Sequence, residues 1–340
     1  MSYKFRAISE QTPDNKWRDY FEEMWPSYKK WYFSEGVNAR PRYLTCLNQL
    51  KRHMPELVPI YHQLVELGGG SDSVARALSL YNPPMYFSGC SQAVWRRHDQ
   101  CFLIRNYDYH PLYTEGVMVK TKWDKRTVIG MSDCLWGLVD GMNDSGLAVS
   151  LAFGGKTEGG SGFGVPLIVR YVLETCDTTI EAVAVLKRVP CHMAYNLTVL
   201  DAQGVAVTVW LAPDAEAIVL DDLATTNHQE KITWKRHAIA TKTVERLVFL
   251  DQSLRNEYLS TEGFVQGFLQ PPLYSDAFKR GFGTLYTSIY YPREGVVKVI
   301  WKDQSWVQSF IAFEEGEREV KYLDLGVSSL PIPKHVTTIV

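Results

Sequence analysis

A thiol preceded by glycine stands at Gly89-Cys90-Ser91, directly after Tyr81-Asn82-Pro83-Pro84-Met85-Tyr86-Phe87-Ser88. A thiolate is a strong nucleophile, but a lone cysteine is more often a small buried hydrophobe. Cys90 is one of six cysteines, at 46, 90, 101, 134, 176 and 191, and composition alone does not single it out. A nucleophile needs a base and fixed donors around it, and three downstream stretches offer polar groups. Leu103-Ile104-Arg105-Asn106-Tyr107-Asp108 closes an apolar run with a cation and a carboxylate. Gly141-Met142-Asn143-Asp144-Ser145-Gly146-Leu147-Ala148 reads alone as a hairpin turn. Thr225-Thr226-Asn227-His228-Gln229 reads alone as a capped loop after a strand. Each piece is weak by itself; their order after a Gly-Cys step is what carries information.

These residues need elements to hold them, and the chain changes texture to supply them. From 14 to about 80 it reads as helices. Trp17, Tyr20, Phe21, Met24 and Trp25 recur at three-to-four spacing, as do Leu57, Ile60, Tyr61, Leu64 and Val65. Gly68-Gly69-Gly70 ends that run, a short helix spans 73–81, and Pro83-Pro84 favours extended backbone. From Met85 onward strands dominate: 101–107, 116–123, 127–131, 147–153, 194–200, 205–211, 284–291 and 296–301. Turn signals at 124–126, 143–146 and 201–204 join several of them. Helices are expected at 166–176, 179–189 and 234–258. Hairpins mixed with paired helices imply antiparallel sheets covered by helices, an α+β class.

The chain has 340 residues, 46% apolar and 22% charged, with 36 Lys plus Arg against 38 Asp plus Glu. That supports a sizeable core and lacks the basic surplus of a nucleic-acid binder. The first sixteen residues are polar and broken by Pro13, and no run of about 18 apolar residues occurs, so neither a secretory signal nor a membrane span is expected. Widely spaced cysteines in such a chain read as reduced thiols of a cytoplasmic protein. No C-x-x-C pair or His pair has metal-ligand spacing, and no cofactor is expected.

The stretch from Cys90 to about Trp301 resembles the cysteine N-terminal-nucleophile (Ntn) hydrolases. It is most similar to the penicillin acyltransferase-type autoproteolytic acyltransferase/hydrolase family (acyl-CoA:6-aminopenicillanic acid acyltransferase-like), and more distantly to choloylglycine hydrolases. Gly-Cys-Ser, Arg-Asn-x-Asp, Met-Asn-x-x-Gly-Leu-Ala and Thr-Asn-His carry the likeness together. The resemblance implies a four-layer αββα sandwich over 90–340, preceded by a helical leader or propeptide over 1–89. It implies self-cleavage between Gly89 and Cys90, because the base in such enzymes is the nucleophile's own α-amino group. The reference pKa of such an amine is roughly 7.7–8.0. An internal Cys90 has only an amide nitrogen there. The implied site is Cys90, Arg105, Asp108, Asn143 and Asn227. Arg105 would line the thiol, Asp108 would orient the amine, and Asn143 and Asn227 would donate to the developing oxyanion. The implied partner is a small acyl-amide or acyl-thioester, with hydrolysis of a linear amide slightly favoured because water is always present. Arg105 matches the choloylglycine branch, where the penicillin branch has Gln, so the penicillin substrate does not carry over.

Alternation in a strand places Arg105 and Asp108 on opposite faces, so both reach one site only if the strand ends or bulges near Asn106. The leader helices need a partner surface and are expected to pack on the catalytic sheets. Cleavage then leaves a bound two-chain protein, with dissociation of the leader as the alternative. Oligomeric state is left open, a homo-oligomer included. A rival reading is a papain-like thiol hydrolase that uses Cys90 with His192 or His228 and needs no chain cleavage. Another is a non-catalytic binding protein on the same fold. The glycine-rich run 154–164 reads equally as a mobile loop or as a lid or pocket rim near the site.

Overall fold

The computed structural model describes residues 2–97, 99–280 and 282–322; the rest of the 90–340 segment lies outside the described residues. The chain opens with strand β1 (Ser2–Glu10) and helices α1 (Asn15–Tyr32), α2 (Tyr43–His53), α3 (Val58–Leu67) and α4 (Asp72–Leu78). Then follow β2 (Gly89–Arg97), β3 (Gln100–Tyr109), β4 (Val117–Thr121), β5 (Val128–Asp133), β6 (Gly137–Asn143) and β7 (Leu147–Phe153). Helices α5 (Val165–Thr175) and α6 (Thr179–Arg188) precede β8 (Tyr195–Asp201), β9 (Ala206–Leu211), β10 (Ile218–Leu220) and β11 (Ala224–Thr225). Helices α7 (Lys235–Ala240), α8 (Thr243–Arg255) and α9 (Thr261–Phe268) come next. The last strands are β12 (Asp276–Ala277), β13 (Phe282–Tyr291), β14 (Val296–Ile300), β15 (Ser305–Ser309) and β16 (Gly316–Lys321).

The strands form two sheets. A nine-stranded sheet runs β10-β9-β8-β7-β6-β5-β4-β1-β16, and a seven-stranded sheet runs β11-β2-β3-β13-β14-β15 with β12 on β13. Their inner faces meet where β2 and β3 lie over β7 and β8. Helices α5 and α6 cover the outer face of the larger sheet, on β6, β7, β8 and β9; α8 and α9 cover the other, on β2, β11 and β3. The order of layers is helix, sheet, sheet, helix, the four-layer αββα sandwich that the resemblance implies. Strand β7 (LAVSLAF), buried on both faces, loses the apolar–polar alternation and reads as a near-continuous apolar run.

Three expectations need correction. The first residues are not a polar lead-in to a helical leader. Ser2–Glu10 form β1, which lies inside the nine-stranded sheet, parallel to β4 and antiparallel to β16. Its residues alternate only weakly, so the strand is specified by its two neighbours rather than by local pattern. The helix expected over 234–258 is two helices, because Lys242 takes a left-handed backbone conformation (φ 51°) between α7 and α8. The glycine run 154–164 is pinned: Gly159 bridges Met193 and Phe163 bridges Cys191.

The helices after β1 pack on the sheets. Trp17 Nε1 donates to the Leu135 carbonyl at 3.0 Å, Trp136 Nε1 to that of Leu78 at 2.8 Å, and the Tyr28 hydroxyl to Asp133 Oδ1 at 3.0 Å. These bonds sit within one apolar cluster that joins Trp17, Phe21 and Leu64 to Leu135, Trp136 and Leu138.

Candidate active site

The site is built on the β2–β3 hairpin, whose register pairs Gly89 with Asp108, Cys90 with Tyr107 and Gln92 with Arg105. Paired residues share a face and alternate residues share a face. Cys90, Gln92, Arg105 and Tyr107 therefore point inward, toward the nine-stranded sheet. Gly89, Asn106 and Asp108 point outward, toward α8 and α9.

On the inward face Arg105 is wholly buried and every arm of its fork is engaged. Its Nε donates to the Leu151 carbonyl at 2.9 Å and its Nη1 to Asp140 Oδ2 at 2.5 Å. Its Nη2 stands 3.2 Å from Cys90 Sγ, and the guanidinium lies 4.5 Å over the Tyr107 ring. Asp140 is buried too and also accepts the hydroxyls of Tyr286, at 3.2 Å, and Tyr290. A buried ion pair survives only when its remaining groups are satisfied, and these are. Burial pushes the Cys90 thiol up from its ordinary pKa, and the Arg105 charge beside it works against that rise. Burial also opposes the Arg105 charge, but Cys90 and Asp140 hold the guanidinium protonated.

The main chain of Cys90 is held as well. Its N–H donates to Asn227 Oδ1 at 2.8 Å, while Asn227 Nδ2 donates to the Phe153 carbonyl at 3.1 Å and faces that of Ser88 at 3.5 Å. Thr243 Oγ1 at the start of α8 fixes the Asn227 backbone N–H at 2.7 Å. Gly155 (φ +74°) packs so closely on the Asn227 carbonyl that any Cβ would collide with it. That close approach accounts for one glycine of the run.

Asp108 is placed differently from the expectation. β3 continues without a break to Tyr109, and its pairing with β2 has no shift. The irregularity lies in the neighbouring β13, between Thr284 and Tyr286. Asp108 consequently faces outward, where Oδ2 pairs with Arg246 Nη1 of α8 at 2.5 Å and Oδ1 accepts the Thr284 hydroxyl at 2.6 Å. Gly89 lies over it: a Cβ on Gly89 would stand 3.1 Å from the Asp108 Cβ.

Asn143 is not brought to Cys90. It sits three residues after inward-facing Asp140 on β6, hence on the outer face of its sheet. Both its amide protons are spent, on the carbonyls of Leu173 at 2.9 Å and Cys176 at 2.7 Å. Its Oδ1 accepts the N–H of Ser145 at 3.2 Å and of Leu147 at 3.0 Å. Asn143 ties the β6–β7 turn to the end of α5 and has no proton left for an oxyanion.

Two residues escaped the sequence reading. Asp140 carries a signal in hindsight, a lone charge in the otherwise uncharged strand GLVDGMN. Arg246 carries none, since an arginine on an amphipathic helix is ordinarily solvated.

All six cysteines are free and buried. Among the described residues no imidazole bonds the Cys90 thiol. His192 Nδ1 faces the Phe163 carbonyl at 3.2 Å, with its pKa pushed down to about 4 by burial, and His228 Nδ1 faces Thr243 Oγ1 at 2.8 Å. That arrangement leaves the papain-like reading without its base. No three His, Cys, Asp or Glu side chains among the described residues converge as metal ligands. None of the described helices is long and apolar enough to cross a membrane.

Comparisons with known proteins bear on this arrangement. The model of the acyl-coenzyme A:6-aminopenicillanic acid acyl-transferase family matches residues 95–306, starting just downstream of Cys90. No curated protein matches the chain. Among solved structures, conjugated bile acid hydrolase from Clostridium perfringens aligns at 14% identity over 72% of this chain and 100% of its own, with a TM-score of 0.48. Penicillin V acylase from Agrobacterium tumefaciens aligns at 13% over 65% and 86%, with a TM-score of 0.44. The Caenorhabditis elegans ortholog of N-acylethanolamine-hydrolyzing acid amidase aligns at 17% over 68% and 100%, with a TM-score of 0.45. With more than half of its length matched by the family model, the chain belongs to the acyl-coenzyme A:6-aminopenicillanic acid acyl-transferase family.

Proposed function

We propose that this protein is a self-processing cysteine amidohydrolase or acyltransferase, made as a zymogen and activated by scission of Gly89–Cys90. The observation that carries the reading is the double hold on Cys90: its sulfur against Arg105 Nη2 at 3.2 Å and its nitrogen on Asn227 Oδ1 at 2.8 Å. Sulfur and nitrogen of one residue are both addressed, as a nucleophile that carries its own base requires.

Maturation runs as an N-to-S acyl shift. The Cys90 sulfur bonds to the Gly89 carbonyl carbon, the C–N bond breaks as the nitrogen takes a proton, and a thioester forms. Water then attacks the thioester and releases the Gly89 carboxylate, leaving Cys90 with a free thiol and a free amine. Asn227 Oδ1 keeps hold of that amine. Withdrawal of Ser88 releases Asn227 Nδ2 from the Ser88 carbonyl and frees it to donate to a substrate oxyanion, a contact typically worth about 2.7–4 kcal/mol. Removal of Gly89 uncovers Asp108, which then faces the new amine and tunes its charge. Arg105 stabilises the thiolate throughout.

Turnover repeats the same chemistry on a small linear amide or thioester. The Cys90 amine takes the thiol proton, the thiolate attacks, and the protonated amine passes its proton to the leaving group. Water resolves the acyl-Cys90 in hydrolysis and an amine does so in transfer. The cut leader (1–89) stays bound, supported by β1 inside the nine-stranded sheet and by the buried Trp17, Tyr28 and Trp136 bonds.

Intact-mass analysis of the purified wild type and of Cys90→Ala tests the reading. Two species summing to the full chain plus one water, with Cys90 as a new N-terminus and no such cut in Cys90→Ala, are expected. An uncut wild type, or an equally cut Cys90→Ala, overturns it.

A further inference from the structure

Two side chains flank the Cys90 nitrogen, and one turn of helix holds both. Asn227 Oδ1 accepts the Cys90 N–H at 2.8 Å, and Thr243 Oγ1 holds the Asn227 backbone N–H at 2.7 Å. Asp108 pairs with Gly89 in the β2–β3 register, and Arg246 Nη1 holds its Oδ2 at 2.5 Å. Thr243 and Arg246 open α8 three residues apart, so they share one helix face. Arg246 is fixed from a second side, its Nε donating to the Pro272 carbonyl at 3.1 Å. It is 3% exposed and Asp108 is 0% exposed, so water and salt screen the pair little. Other titratable groups surround this corner. Arg105 of β3 reaches Cys90 Sγ, with the Tyr286 hydroxyl of β13 beside it at 3.5 Å. Burial and the Asp108 charge push the Tyr274 hydroxyl up to about 12. His237 of α7 packs on Phe282, which flanks Gly89, and burial holds its pKa down at about 4. His228, bonded to Thr243, is also pushed down by burial. Among the described residues, Arg246 is the only cation paired with Asp108.

We propose that Arg246 is a positioning residue of the mature enzyme, acting through Asp108 to keep the freed Cys90 amine in its neutral, proton-accepting form. The inference rests on the function proposed above. After scission the new amine faces Asp108 where Gly89 stood. A bare carboxylate there favours the ammonium, which has no lone pair for the thiol proton. Arg246 offsets that charge, and burial works in the same direction, so the amine stays neutral. In turnover the S–H bond breaks, its electron pair stays on sulfur and the proton binds the amine. The ammonium then lies between a thiolate and a carboxylate whose charge is offset but not removed. Before scission the same nitrogen is an amide that does not titrate, so the task arises only in the cut enzyme. A cation that merely kept a buried carboxylate satisfied would set stability and leave the pH profile of acylation in place.

The test uses self-processed full-chain protein and p-nitrophenyl acetate, an activated ester that acylates a cysteine whatever acyl group the site prefers. The second-order rate of acetyl transfer to Cys90 is read by mass spectrometry of the Cys90 fragment between about pH 5 and 9, a range that brackets a free α-amine. The midpoint of the acid limb is compared among variants. Arg246→Gln leaves Asp108 uncompensated, so the ammonium persists to higher pH and the midpoint is expected to rise by at least about one unit. Arg246→Lys keeps the charge without the fork and is expected to lie within about half a unit of wild type. Asp108→Asn leaves Arg246 uncompensated and is expected to lower the midpoint by at least about one unit. The double variant Asp108→Asn, Arg246→Gln is expected to return it to within about half a unit of wild type. If Arg246→Gln fails to fold or to cut, the Asp108→Asn single and double variants decide by the same shift. Coincident midpoints, or a downward shift in Arg246→Gln, overturn the role of Arg246 and leave the proposed function standing. Absence of acetyl-Cys90 in cut wild type overturns both.

Discussion

The two faces of β3 do different work, and the contrast separates chemistry from scaffolding. Inward, Arg105 spends one arm on Cys90 Sγ and the others on Asp140 and Leu151, so the buried cation is aimed at the thiol. Outward, Asp108 spends both oxygens on Arg246 and Thr284, which ties α8 to the sheet beneath Gly89. Both faces hold a buried ion pair, and only the inward pair has the reactive atom as a third member. A buried charge pair is thus no mark of a site by itself; what its spare donors reach decides its use.

The largest effect should follow from breaking the inward face. Arg105→Ala leaves Asp140 without its cation and is expected to slow scission at least about 100-fold, the scale of losing one fixed donor. Arg105→Lys keeps the charge but not the fork, and is expected to fall between that variant and wild type in a time course of cut fraction. Breaking the outward face should cost stability first. Asp108→Asn strands Arg246 and is expected to lower unfolding free energy by about 3 kcal/mol in urea titrations. Its scission rate is expected to fall far less than that of Arg105→Ala, and its turnover to fall more than its scission. Equal slowing of scission by the two variants would erase the distinction between faces.

Asn143→Ala sharpens the contrast from outside it. Stranding the Leu173 and Cys176 carbonyls is expected to lower stability by about 2 kcal/mol, with turnover by the cut protein within about twofold of wild type. A hundredfold loss of turnover in a folded Asn143→Ala would return that residue to the oxyanion role.

The smallest effect concerns the leader's anchorage. Asp133 accepts the Tyr28 hydroxyl of α1 at 3.0 Å, and burial, with the Glu115 charge nearby, pushes its pKa up to about 7. Between its ordinary value near 4 and 7 the folded protein holds a proton that the unfolded chain has lost. This carboxyl's contribution to stability is therefore full at low pH and is lost as pH rises toward and through 7. Asp133→Asn cannot ionise, so its melting temperature is expected to gain a few degrees on wild type between pH 4.5 and 7.5. A difference that stays flat with pH would contradict the assignment.

How much of this was legible in the sequence varies with how local the cause is. Cys90, Arg105 and Asn227 were read from short motifs, and hairpin register alone brings the first two together. Apolar periodicity and turn residues led only to antiparallel sheets covered by helices; the four-layer class came from the family resemblance. Asp108 and Asn143 were named in a site they do not enter in the uncut chain, because motif order carries no information about which face a residue takes. Period-two alternation did separate Arg105 from Asp108, and the expected strand break that would have reunited them does not occur. β1 was missed because its pairing partners lie far away in the chain, and Arg246 because burial of a helix arginine depends on what docks against it.

The most direct measurement follows cut fraction and amide turnover together in one preparation as it matures. Turnover should rise in proportion to the fraction of chains that begin at Cys90 and be absent while all chains are whole. Full turnover by uncut polypeptide would contradict a base released by the protein's own scission.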